Sequence, residues 1–276
     1  MKTPVQRIQG FYFKRQDLYK PFPDSGLCGA KVAQCEALMR LNAEMIRKAF
    51  NSTVITGTSV HSPQGLIVAR VAKELGFQCK LVFGATKEDK VLTHPFVRKA
   101  VELGNTTYDI QCGVGYNSAL YARVDELCKE YPMFSVGFGM HVDSDESPIV
   151  RAVSSDVMHF PPDVTSLVIP VGSGICAGSI LAGLKKYAHH NMPEKIFCVQ
   201  IAGYDRTETI NKIAGKIDYE YVMDKTYPYT TLLDRTFTGI RFDPRYEAKA
   251  WEWMTKNLDK LGPRPMFWII GNTYYV

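Results

Sequence analysis

Apolar positions along the chain follow two periods that take turns. Short, densely apolar runs at residues 11–13, 54–55, 79–83, 107–110, 134–136, 166–171, 196–201 and 266–270 read as strands. Between them, apolar side chains recur every three or four positions, the spacing of one helix face. Val32, Cys35, Leu38, Met39, Met45 and Ile46 mark such a face in a helical run from 32 to about 50. Ile67, Val68, Val71, Ala72 and Leu75 mark the next, and Gly76 closes it, as a glycine after the last helical turn does. Further helices are predicted at 95–103, 117–130, 147–158, 176–187 and 207–213. A last one runs from 243 to about 261, opened by Asp243-Pro244 with the proline in its first turn. Strands and helices alternate, and nearly every strand runs into a glycine-containing turn. That order predicts an α/β fold with a mainly parallel sheet, whose ligands sit beyond the C-terminal ends of the strands.

Composition narrows the class. The 276 residues are 46% hydrophobic and 22% charged, enough for one large or two modest cores. The net charge of +5 is spread without long like-charge runs, so no dedicated nucleic-acid stripe is evident; a substrate carrying phosphate or carboxylate suits the sign. Seven cysteines without CxxC pairs argue for a reducing, cytoplasmic setting and against a zinc site or disulfide framework. The start lacks the apolar core of a signal peptide, and no apolar run approaches the roughly 18 residues of a membrane span.

Three loops carry candidate chemistry. In Ser25-Gly26-Leu27-Cys28-Gly29-Ala30-Lys31, small residues crowd one lysine where loop becomes helix. Such a lysine is either a solvated residue of a helix N-terminus or an amine whose pKa falls toward the nucleophilic range. Gly172-Ser173-Gly174-Ile175-Cys176, between an apolar strand and an amphipathic helix, is either a tight turn or an anion cradle of backbone N–H groups. It lacks the Gly-Lys-Ser/Thr ending of a P-loop and the full GxGxxG of a dinucleotide site, so a single-phosphate cofactor fits best. The loop from Thr56 to Gly65 offers hydroxyls, an imidazole and an amide ahead of a helix, the equipment to hold an acidic group or merely a polar surface. His189-His190 reads as a solvated helix end, and Trp251 and Trp253 as packing residues.

Taken in order, these segments resemble the tryptophan-synthase-β-like family, the fold type II enzymes of pyridoxal phosphate (PLP). Tyr12-Phe13-Lys14-Arg15-Gln16-Asp17-Leu18 looks like the family's lysine-arginine-acid-aspartate-leucine strand. Thr58-Ser59-Val60-His61-Ser62-Pro63-Gln64-Gly65 is similar to the Ser-Ala-Gly-Asn-His-Ala-Gln-Gly loop of serine/threonine dehydratases. Phe242-Asp243-Pro244-Arg245-Tyr246-Glu247-Ala248-Lys249 looks like the Leu-Asp-Pro-Val-Tyr-x-Gly-Lys segment of the aminocyclopropanecarboxylate deaminase and D-cysteine desulfhydrase branch. The resemblance covers residues 10 to 271. It departs at His61, where the family has asparagine, at Val60, where it has glycine, and at Gly271-Asn272-Thr273, where the branch has His-Thr-Gly-Gly.

The resemblance implies two open, twisted, mainly parallel sheets flanked by helices with the cofactor between them. A smaller domain would span 40–140 and a larger one 1–39 with 141–276. It implies a Schiff-base lysine at Lys31 and a phosphate held by Gly172, Ser173, Gly174, Ile175 and Cys176. His61 would face the cofactor's ring oxygen, and Asn272 or Thr273 its pyridine nitrogen. Thr58, Ser59, Ser62 and Gln64 would take the substrate's acidic group, with Tyr246 as second acid/base or substrate contact. The short segment ahead of Lys31 is expected to leave the site open. The expected protein is a homodimer acting on an amino acid or amine by elimination or deamination. One alternative is a decarboxylase or lyase acting on an amino acid attached to a nucleobase in modified DNA; another is a binding protein that keeps the fold without catalysis.

Overall fold

The computed structural model describes residues 2–84, 88–112, 117–140, 142, 146–201 and 203–271. The chain forms two compact units, Met1–Ala33 with Val142–Tyr275, and Gln34–His141.

The first unit is built on six strands, β1 (Val5–Ile8), β2 (Phe11–Arg15), β7 (Ser166–Val171), β8 (Lys195–Gln200), β9 (Glu220–Met223) and β12 (Pro265–Ile269). Their order across the sheet is β1-β2-β12-β7-β8-β9, antiparallel only between β1 and β2. Both faces are apolar, and the period of two sorts their side chains. Leu167, Ile169, Ile196, Cys198, Met266 and Trp268 share one core with α7 (Pro148–Ser154), α8 (Ile175–Tyr187) and α9 (Thr207–Ala214). Val168, Phe197, Val199, Phe267 and Ile269 share the other with α10 (Glu247–Lys256) and the hairpin β10 (Thr236–Phe237)–β11 (Ile240–Arg241). Helix α1 (Ala30–Leu41) opens in this unit.

The second unit holds the parallel sheet β5-β4-β3-β6, from β3 (Thr53–Ser59), β4 (Gln78–Gly84), β5 (Thr106–Cys112) and β6 (Phe134–Ser135). Its helices are α2 (Ala43–Ala49), α3 (Gln64–Glu74), α4 (Glu88–Val91), α5 (Pro95–Glu102) and α6 (Asn117–Glu130). Leu120, Val124 and Leu127 of α6 pack on Ile55 and Val82. Among the described residues no helix is long and apolar enough to cross a membrane.

Several helix limits differ from the periodicity; among them, α10 ends at Lys256, ahead of a 3-10 turn over Leu258–Lys260, rather than near 261. The run expected from 32 to 50 is two helices, because the Asn42 amide donates to the Leu38 carbonyl at 2.8 Å and the backbone leaves helical geometry there. The stretch after Ser154 tightens into a 3-10 turn over Ser155–His159. Asp243-Pro244 lies outside α10, which starts at Glu247: Asp243 Oδ1 accepts the N–H groups of Arg245 and Tyr246, at 3.0 and 2.9 Å, and turns the chain before the helix begins.

A buried polar cluster anchors the N-terminal arm. Asp156 accepts from the Thr3 N–H (2.7 Å), the Thr3 hydroxyl (2.6 Å) and the Gln16 amide (3.1 Å), and pairs with Lys14 Nζ at 3.0 Å. Burial holds the Lys14 ammonium below its ordinary range, and Asp156 offsets part of that effect. A pair so deeply buried matters most when half of it is missing. Asp156→Ala is therefore expected to lower unfolding free energy by about 3–5 kcal/mol, read from urea midpoints. The double replacement Lys14→Met with Asp156→Leu should lose less; equal losses would mean that the stranded ammonium is not the cause.

Candidate active site

Lys31 owes its place to two backbones that cross without side chains. Gly29 has φ +88°, and a Cβ on it would lie 2.4 Å from the Ile270 carbonyl oxygen and 2.5 Å from Gly271 Cα. The loop leaving β12 therefore passes directly against the loop entering α1. Two hydrogen bonds hold the crossing, Gly29 N–H to the Tyr19 carbonyl (2.9 Å) and Ala30 N–H to the Ile270 carbonyl (2.8 Å). Ala30 starts the helix, so Lys31 sits in its first turn, half-buried and with no hydrogen bond or ion pair among the described residues. Burial pushes its ammonium pKa down, opposed by the nearby Cys176 and Asp243. The positive end of α1 acts in the same direction as burial. A lysine whose charged form is disfavoured in this way is a candidate nucleophile.

Cys176 belongs to the glycine loop between β7 and α8. Gly174 caps α8 at φ +89°, and a Cβ there would meet Arg206 Cβ at 3.2 Å and Thr209 Cβ at 3.3 Å. A Cβ on Gly172 would meet the Tyr246 ring at 3.1 Å. The first intrahelical bond is Gly178 N–H to the Gly174 carbonyl, and no side chain caps the turn before it. Ile175, Cys176 and Ala177 thus place the N–H groups of a first helical turn beside bare glycine backbone, the donor set that suits a phosphate.

Tyr246 is fixed from both ends. The Asp243 carboxylate holds its backbone N–H, and its hydroxyl lies 3.0 Å from that of Tyr229. Burial, and then Tyr229, push the Tyr246 phenol well above its ordinary value. Beside it, Glu247 is a fully enclosed carboxyl that the residue pattern did not single out. Its oxygens accept the Asp243 N–H (2.9 Å) and the Gly271 N–H (2.8 Å), tying the end of β12 to the Tyr246 turn. Burial, then Asp243, raise its pKa well above the carboxyl range, against the two N–H groups. An acid adjoining the tyrosine at the start of an amphipathic helix was the available signal.

In the second unit, the loop expected over Thr56–Gly65 is half strand. Thr58 lies within β3 with its side chain buried, and Gln64 is enclosed at the start of α3. The Gln64 amide donates to Thr56 Oγ1 (3.0 Å) and the Gly137 carbonyl (2.9 Å) and accepts from the Gly139 N–H (2.6 Å), so it braces this unit. Ser59 and Ser62 are half-buried and accept the N–H groups of His61 and Gln64, both at 3.3 Å. The exposed His61 ring meets that of His94 edge-on at 4.8 Å. Asn272 and Thr273 lie outside the described residues. Among the described residues no cluster of His, Cys, Asp or Glu could hold a metal.

No protein-family model matches the chain. The glycyl-dTMP PLP-dependent decarboxylase of Pseudomonas phage M6 is 27% identical, over 98% of this chain and 98% of its own length. The O-seryl-dTMP PLP-dependent decarboxylase of Salmonella phage ViI is 24% identical, over 97% of this chain and 79% of its own. An ACC deaminase homologue superimposes with a TM-score of 0.74 at 20% identity, covering 98% of this chain and 89% of that one. The O-acetylserine dependent cystathionine beta-synthase from Helicobacter pylori gives 0.66 at 14%, covering 99% and 94%. The fold is that of the fold type II PLP enzymes.

The Glu247 geometry has a pH signature. A carboxyl whose folded pKa is raised holds its proton to higher pH than in the unfolded chain, so its contribution to stability falls as pH climbs through that window. Glu247→Gln loses one acceptor for a buried N–H, a cost of about 1–3 kcal/mol. The variant should be the less stable protein near pH 5, with the gap narrowing toward pH 8 in urea unfolding. A constant gap would place the raised pKa elsewhere.

Proposed function

We propose that this chain is a PLP-dependent decarboxylase whose substrate is an amino acid carried on a thymine nucleotide. The observation that carries the reading is the unpaired, half-buried Lys31 amine, lowered in pKa, in a chain with Gly172–Gly174 beside an uncapped helix start. Cys176 links the two, since it acts on the lysine and belongs to that helix start. These residues fit PLP: an amine for its aldehyde and a bare N–H cradle for its single phosphate. The substrate class is supported by the two phage relatives, named as PLP-dependent decarboxylases of O-seryl-dTMP and glycyl-dTMP.

PLP, when bound, supplies an electron-accepting ring for the pair left on the α-carbon as a bond to it breaks. The chain's own residues do the rest. Lys31 would hold the cofactor, and its lowered pKa favours the neutral form of the amine, the form that bonds to an aldehyde. The N–H groups of residues 175–177 and Ser173 would bind the phosphate. Tyr246 Oη, kept protonated by burial and steadied by Tyr229, is the donor that places a proton on the α-carbon once CO2 has left. Glu247 positions that tyrosine through the Asp243 turn. On the family resemblance alone, His61 is proposed for the cofactor's ring oxygen, Ser59 and Ser62 for the substrate's acidic group.

The test is release of labelled CO2 from the carboxyl of glycyl-dTMP or seryl-dTMP by the PLP-loaded protein. Ammonia release in its place would favour elimination or deamination, and neither product, with no PLP absorbance band, would mark a scaffold without catalysis. Lys31→Ala should fold normally yet yield no borohydride-fixed PLP peptide in mass spectrometry; PLP fixed on another lysine would overturn the assignment. Gly174→Val should weaken PLP binding at least tenfold, since its Cβ, at a positive φ, would press on Arg206 and Thr209 and shift the backbone of the proposed cradle. Unchanged affinity would move the phosphate elsewhere.

A further inference from the structure

We propose that Tyr204 and Arg206 form the platform that recognises the thymine nucleotide portion of the substrate, a specificity element that rests on the decarboxylase reading and extends it. Both residues follow β8. That strand is parallel to β7, so their loop leaves the same sheet edge as the glycine loop. The two loops touch, for Arg206 Cβ lies 3.2 Å from where a Gly174 Cβ would stand. Tyr204 is 71% exposed, although an aromatic ring gains by being covered. The Arg206 guanidinium stands over it, 5.7 Å from the ring centroid.

The loop is held in this form rather than merely draped over the surface. Arg206 N–H donates to Tyr221 Oη at 2.9 Å, and Thr207 N–H donates to the Asp205 carboxylate at 2.7 Å. Yet the Arg206 side chain is left over. Its Nε is buried without a hydrogen-bond partner, and no carboxylate pairs with the guanidinium among the described residues. A buried donor without an acceptor is costly unless something outside the chain completes it.

A free amino acid has no use for this equipment. A nucleotide uses both parts, since a base stacks on an exposed ring and a phosphate takes guanidinium N–H groups. The same construction recurs beyond β9, where Arg245 lies 4.9 Å from the centroid of the Tyr229 ring and donates to the Tyr229 carbonyl at 3.2 Å. Tyr229 also meets the Tyr246 hydroxyl, which puts this second pair beside the proposed proton donor. Two aromatic–arginine pairs therefore follow the two strands that succeed the glycine loop across the sheet. The shared ligand chemistry is a thymine base with a 5′-phosphate, whether as a mononucleotide or within a DNA strand.

The experiment titrates the PLP-loaded protein with dTMP, thymidine and a single-stranded thymine oligonucleotide. Tyr204→Ala should bind dTMP about tenfold more weakly, the scale of one lost base stack, and Tyr204→Phe should keep wild-type affinity. Arg206→Gln should weaken dTMP and leave thymidine unchanged, with the PLP absorbance of wild type in all three variants. An oligonucleotide that binds far tighter than dTMP, with steep salt dependence, identifies a DNA strand as the source; equal affinities identify the mononucleotide. Wild-type dTMP affinity in Tyr204→Ala overturns the platform, as does loss of PLP from Arg206→Gln, which would give that arginine to the cofactor. CO2 release from glycyl-dTMP with an unchanged KM in Tyr204→Ala sinks the platform alone. A wild-type protein that binds no thymine probe sinks the platform together with the substrate reading.

Discussion

The lysine's chemistry depends on a steric condition: two stretches of main chain, far apart in sequence, must pass closer than any side chain permits. Gly29 and Gly271 meet that condition together, and the Ala30 N–H to Ile270 carbonyl bond locks it. Because the crossing immediately precedes the first turn of α1, the position of Lys31 is set by rigid backbone rather than by its own flexible stem. A long side chain loses much freedom when it is ordered. Here that loss is small at the root, since the helix start is already fixed, and the amine needs no partner to hold it.

Around that point burial disfavours the charged form of several ionisable groups. Burial lowers the Lys31 ammonium and raises the Tyr246 phenol and the Glu247 carboxyl. Each shift alone is ordinary for an enclosed group; their concentration in a few neighbouring segments is what singles these residues out as a candidate site. Glu247 shows how economically this is done. One carboxyl closes two backbone donors, on the turn carrying Tyr246 and on the strand end that faces Gly29.

Much of the fold was legible because parallel strands buried on both faces are dense in apolar residues; β7 and α6 fall at the expected limits. Short, half-exposed elements such as β1, β9 and the β10–β11 hairpin carry too little apolar signal to be seen. Side-chain-to-backbone bonds were equally silent: Asn42 splits one predicted helix in two, and Asp243 delays the start of α10 to Glu247. In the site, glycines announced themselves, since close backbone approach leaves a residue-level trace. Glu247 did not, because a carboxyl that serves two N–H groups looks like any other acid in a first helical turn. The burial of Thr58 and Gln64 was hidden for the opposite reason: polar residues beside a loop can belong to the core, and the Gln64 partners lie up to 75 residues away.

The position of β12 has a consequence for how the protein is made. This last strand, Pro265–Ile269, lies between β2 and β7, near the middle of its sheet. The β3–β6 sheet draws on one continuous stretch and can close while the ribosome is still adding residues. The larger sheet must hold a gap until residue 265 and those after it have emerged, with β2 and β7 each lacking a neighbour. Until then Gly29 has no Ile270 to meet, so the crossing that fixes Lys31 cannot form. A nascent chain interrupted before residue 265 would leave two apolar strand edges open to wrong pairing, and it would carry Lys31 without the backbone that fixes it.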